Sequence, residues 1–251
     1  MVTTAFSPAP GEQEPEAKIS PIGRVTGVLF APTETFKDIV QKPNWIVPLL
    51  LLTAVSMVVC YFLIQKVDWE AFQRKQIESS SFTSNLTQDQ KDQAVARNLK
   101  MTTPLTYGIG LLGPIISILI ITLVYWGAFN VFKGAGLKFG TVFSIVNYAF
   151  VPAVIGAVLT TVVVMLKRAG EVDPQRIAVT SLGNFLPGDA VKWLVALGSS
   201  IDLIWFWTLA LLAIGFAAAN PRKITTSSAY TVVIGMWIFW LLIKVGFAAA
   251  F

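Results

Sequence analysis

An all-α polytopic integral membrane bundle, with five transmembrane helices plus short interfacial and extramembrane helices, is what this chain's amino acids lead one to expect. Of its 251 residues 55% are hydrophobic and 13% charged, whereas a soluble domain carries about a quarter of its residues as charges. Five stretches of about 20 residues are nearly free of charge, and that length crosses a hydrocarbon core of about 30 Å at 1.5 Å per residue. They are apolar all round rather than alternating, which excludes a β-barrel with its alternating strands of about 10 residues.

Residues 1–20 hold Glu12, Glu14 and Glu16 among prolines and have no apolar periodicity. They cannot bury enough surface to order, so a disordered tail is expected there, without the apolar core of a signal peptide. The first span is then the targeting signal, and residues 21–251 form the membrane domain. In "IGRVTGVLFAPTETFKDIVQKPNW" two short apolar patches flank Pro32; Thr33 is placed to cap the second helix and Glu34 to suit its dipole. Two readings stay open: these helices lie on the membrane, or they pack on the protein's own surface.

The first span is expected over 45–64. A polar insertion over 66–104 comes next, too long for a plain connection. A first helix would prolong the span through "KVDWEAFQRKQIESS", and a second would start at Thr87 with Gln90 completing a capping box. A solvated helical hairpin projecting from the bilayer results. The second span is expected over 108–132, a turn at Gly134 and Gly136 between Lys133 and Lys138, and the third span over 141–166. Pro48, Pro114 and Pro152 mark first turns or kinks. After a polar loop, "AVKWLVAL" reads as a short interfacial helix stopped by Gly198. Ser199 and Asp202 form a capping pattern before the fourth span at 200–219, which "NPRK" closes. The fifth span, 229–250, is interrupted only by Lys244.

There is no histidine and one cysteine, Cys60. Ser-His-Asp and Cys-His chemistry and ordinary zinc sites therefore have no residues to use. No catalytic, metal or cofactor site is expected, and no enzyme. The net charge of +5 reads as cations at membrane edges rather than a nucleic-acid surface. Expected partners are the lipid bilayer and membrane proteins or further copies of the chain, with no nucleic acid.

Ionisable groups at membrane depth cost about 2.5 to 3.5 kcal/mol on insertion scales, which makes Asp202 and Lys244 the candidate polar pair. Asp202 falls at the third position of a helix capped by Ser199; Lys244 can snorkel to the near interface. Counted from the turn between the last two spans, the two lie roughly 25 and 21 Å up antiparallel helices. They are therefore expected at one level, within direct or water-bridged reach. Asn130, Asn147 and Tyr148 are candidates for hydrogen bonds between helices.

Lysines and arginines divide eight on the N-terminal side and eleven on the other, so charge leaves the orientation open. The segments "LFAPTETFKDIVQKPNWIVPLLLL", "GLKFGTVFSIVNYAFVP" and "SSIDLIWFWTLALLAIGFAAA" together resemble the bacterial branch of the Yip family, the Ypt/Rab-interacting membrane proteins. The resemblance runs over roughly residues 20 to 250. It implies a five-span domain, here in a bacterial cytoplasmic membrane, with the N-terminus cytoplasmic and the C-terminus across the membrane. Eukaryotic members are associated with Rab GTPases, vesicle traffic and membrane shaping. This chain departs from them in its short tail without a long acidic domain, which makes GTPase binding doubtful. The expected function is non-enzymatic membrane organisation or shaping, or partner recruitment. The alternative is a small transporter or channel subunit using Asp202 and Lys244.

Overall fold

The computed structural model describes residues 19–187 and 190–250, so the tail expected to be unstructured over 1–18 lies outside the described residues. Among these, ten α-helices and no strand are present, with one isolated bridge between Ser181 and Asp202. Helix α1, Pro21–Phe30, starts under a Ser20 cap that accepts from the Gly23 N–H at 3.1 Å, with Pro21 in the first turn. Helix α2, Pro32–Gln41, has no side-chain cap. Thr33, expected to supply one, already lies inside the first turn because Pro32 presets the helical φ one residue earlier. Val28, Phe36 and Ile39 are fully buried, and α2 packs on α6, Phe139–Ala149, and α9, Leu203–Ala219. The pair is thus a hairpin folded into its own bundle, leaving Ile22 and Phe30 exposed.

The span α3, Ile46–Lys66, does not continue into the insertion. Asp68 stops it by capping α4, Trp69–Ser79, through the Ala71 N–H at 3.0 Å. Thr87 and Gln90 make both bonds of the expected capping box, and the helix they start, α5, runs 46 residues from Gln88 to Lys133. At 1.5 Å per residue that is about 69 Å, so the second half of the insertion and the second span are one rod. Helix α4 lies against its first turns, with Arg74 paired to Asp92 at 2.7 Å. The Asp92 hydrogen bond and charge, helped by Glu70, raise the Arg74 pKa above its ordinary value.

The third expected span is broken in two. Pro152 has no N–H and its ring would clash with the carbonyl of Tyr148, so α6 ends at Ala149 and α7 begins at Pro152 and reaches Leu166. Helix α8, Lys192–Ser200, runs past Gly198 rather than stopping there, and α10 spans Thr226–Ala250. Among the described residues four segments are long and apolar enough to cross a membrane: Ile46–Lys66, the apolar part of Gln88–Lys133, Phe139–Leu166 and Thr226–Ala250. Helix α9 is apolar but has 17 residues, about 25 Å.

The main core sits at the end of the bundle that carries α1 and α2. Phe36, Phe129, Ile145, Leu212 and Phe216 meet there, with the Phe129 and Phe216 rings stacked at 4.1 Å. Gly215 permits this closeness, since a Cβ on it would stand 2.5 Å from Ile145 Cγ2 and 3.0 Å from Phe36. A smaller cluster of Val67, Val164 and Val172 closes the opposite end.

Candidate functional site

Between these two packed regions α3, α5, α7, α9 and α10 enclose an open cavity of about 530 Å³. Its walls are mostly apolar, among them Leu52, Ile118, Phe150, Ala153 and Trp205. Its two charged residues, Asp202 and Lys244, gather with Thr180, Ser199 and Ser200 at the end away from α1 and α2, while Ser56, Ser117, Thr160 and Thr208 add hydroxyls along the other walls. A second cavity of about 350 Å³ runs between α5 and α10, and Ser117, Phe150, Trp205 and Trp240 line both. It exists because α10 leans on α8 and α9 and scarcely touches α5.

The polar end is built by the loop that leaves α7 and returns as α8. Its neck is closed by Leu182 N–H to Ile201 O at 2.9 Å and Leu203 N–H to Thr180 O at 3.4 Å. Arg176 holds the loop from inside, donating to the Leu186 and Pro187 carbonyls at 2.8 Å each. Gly183 and Gly198 let its two arms touch; a Cβ on Gly183 would meet the Ser199 backbone at 3.0 Å. Ser199 and Ser200 therefore end α8 facing α10, and Asp202 starts α9.

Asp202 does not occupy the third position behind a Ser199 cap. It is the cap itself: Oδ1 accepts from the Trp205 N–H at 3.0 Å, while Oδ2 accepts from the Thr180 hydroxyl at 2.6 Å. Ser199 belongs to the preceding helix. The Lys244 ammonium donates to Ser199 Oγ at 3.0 Å and Ser200 Oγ at 2.8 Å and lies 5.2 Å from the Trp240 ring centre. Both charges line one cavity, yet among the described residues no ion pair joins them. The hydroxyls of α8 take the place that an antiparallel two-helix picture assigned to the opposite charge.

The three uncharged candidates divide. Asn130 bonds the Leu137 backbone, accepting at 2.7 Å and donating at 3.2 Å, so it closes the turn after its own helix rather than joining two spans. Asn147 donates to Phe143 O at 2.7 Å within α6, and its buried Oδ1 has no partner among the described residues. Tyr148 reaches across to α1, donating to Pro21 O at 3.3 Å. What residue-by-residue reading missed is Arg24. It is 1% exposed, pairs with Asp38 at 2.7 Å, and donates to the Lys42 carbonyl at 2.9 Å and the Asp38 carbonyl at 3.1 Å. Only the 14-residue separation across two helices hid it; an arginine on the apolar face of α1 was the available signal.

In chemical terms the cavity offers one ammonium, one carboxylate and hydroxyls at one end, and a mostly apolar wall elsewhere. Among the described residues no three His, Cys, Asp or Glu side chains gather as metal ligands. No curated protein and no solved structure matches the chain. The model of the Yip1 domain matches residues 26–243, from the α1–α2 hairpin through the cavity to the last turns of α10. The chain is therefore an integral membrane protein with a Yip1 domain and belongs to that family.

Proposed function

We propose that this protein organises or shapes the membrane, or recruits partners within it, without catalysing a reaction. One observation carries the reading: the bundle is densely packed at the end holding α1 and α2 and open at the level of its main cavity. A rigid body that is filled in one leaflet and hollow in the other presses unequally on the two, and lipid must adjust to it. In this reading α9 is the fifth span, short because its polar N-terminus is held by the α8 loop. The N-terminus is cytoplasmic, the C-terminus lies across a bacterial cytoplasmic membrane, and the partners are lipid and membrane proteins or further copies of the chain. The test is reconstitution into vesicles at rising protein density, imaged by electron cryomicroscopy, with crosslinking in native membrane beside it. A density-dependent change of vesicle size, or a captured membrane-protein partner, is expected. Unchanged vesicles together with no captured partner would remove the reading.

A small transporter or channel subunit is the second reading, favoured by two charges in one cavity without a direct ion pair. Solute flux in proteoliposomes that is lost on Asp202→Asn would place it first.

A further inference from the structure

Lys244 has three N–H donors, of which Ser199 and Ser200 take two. Those hydroxyls leave its charge uncancelled. Asp202 accepts one bond on each oxygen and keeps a lone pair on both, and among the described residues no cation pairs with it. An ammonium and a carboxylate at the end of one apolar cavity call for a ligand carrying both signs. The adjoining walls suit long hydrocarbon next to that charged part. From Lys244 to Met236 the lining of the two cavities descends eight residues of α10, about 12 Å, close to the ~15 Å of one leaflet's hydrocarbon. Two cavities diverge from a shared rim of Ser117, Phe150, Trp205 and Trp240. At that rim the buried Trp205 indole N–H has no acceptor among the described residues, which suits an ester carbonyl.

We propose that the joined cavities hold one zwitterionic phospholipid with a primary-ammonium head group. Its phosphate sits on Lys244, its ammonium on Asp202, and one acyl chain lies in each cavity. An anionic glycerol head group would leave Asp202 facing a phosphate without a cation between them. The site goes beyond the shaping role and stands on its own geometry, so failed vesicle remodelling leaves it untouched.

The full chain, purified in detergent, is titrated with phosphatidylethanolamine or phosphatidylglycerol, and lipid retention is read by native mass spectrometry. One ethanolamine lipid per chain is expected, preferred by roughly tenfold, which is 1.4 kcal/mol at 25 °C. Lys244→Met, which keeps the stem length, should weaken it by about the same factor. Asp202→Asn, which preserves an N-cap, should abolish the preference while binding persists. Ser117→Trp, at the shared rim, should reduce retention of both lipids. Each variant is checked for helical circular dichroism and monodispersity. Equal retention of the two lipids by the unaltered chain, or retention indifferent to Lys244→Met, would show ordinary boundary lipid only and overturn the proposal.

Discussion

At the scale of single residues, the buried Arg24–Asp38 pair is the costliest feature of the hairpin to disturb. Both side chains are nearly inaccessible, at 2% and 6% exposure, so removing one takes a charge-assisted bond from the other where water cannot replace it. Arg24→Met should lower stability by about 3 to 5 kcal/mol, and Asp38→Leu by a similar amount. The double change Arg24→Met with Asp38→Leu should cost less than either alone, because both buried charges are then removed together. Thermal unfolding in detergent, followed by circular dichroism, ranks the three; a double variant weaker than both singles would contradict the account. Gly215 carries the opposite kind of constraint. Its missing side chain lets Ile145 and Phe36 close on α9, and Gly215→Val should cost about 1 to 3 kcal/mol through overpacking, read as a lower unfolding midpoint. Gly235, with open space around its Cβ position, should tolerate the same exchange.

Among the elements, α5 gives the clearest case of a local sequence signal. Thr87 and Gln90 satisfy each other's backbone N–H groups, at 3.3 and 2.9 Å, and together they cap the start of the rod. Thr87→Ala should cost about 0.5 to 2 kcal/mol of local stability, seen as faster hydrogen exchange at the amides of residues 88–91 with the membrane half of α5 unaffected. Thr87 was legible because its capping box is confined to the four consecutive residues from Thr87 to Gln90. Thr33 was misleading for the same reason: Ser20 and Pro32 fit the rule at their own positions, and Pro32 starts the helix one residue ahead of Thr33. Asp202 shows a three-residue error of register. The Ser-x-x-Asp spacing suggested a cap at Ser199, but α8 extends to Ser200, so the next free side chain, Asp202, does the capping.

For the whole molecule, the arrangement puts the loop between α9 and α10 with α1 and α2 at one end, and the segment 167–180 with α4 at the other. In a Cys60→Ser background, Ser227→Cys and Gln175→Cys should be labelled by a membrane-impermeant thiol reagent from opposite sides. Helix α10 alone, at 25 residues, spans about 37 Å between those levels. Labelling of both from one side would refute the arrangement.

That this chain is a helical membrane protein follows from its amino-acid order alone, because hydropathy and length act on each segment separately and no partner is needed to read them. The same order also determined the capping box at Thr87, the glycine turn at Gly134 and Gly136, both of positive φ, and the family resemblance. It took the packed bundle to show that α1 and α2 fold into it around a buried ion pair. The same packing decided that Asn130 serves its own turn, and that Lys244 is met by the hydroxyls of Ser199 and Ser200 rather than by Asp202 directly. The reason is that each of these depends on which groups arrive at one point from distant parts of the chain. A charge inside a membrane must find a partner, but the requirement does not name one, and three helices compete to supply it.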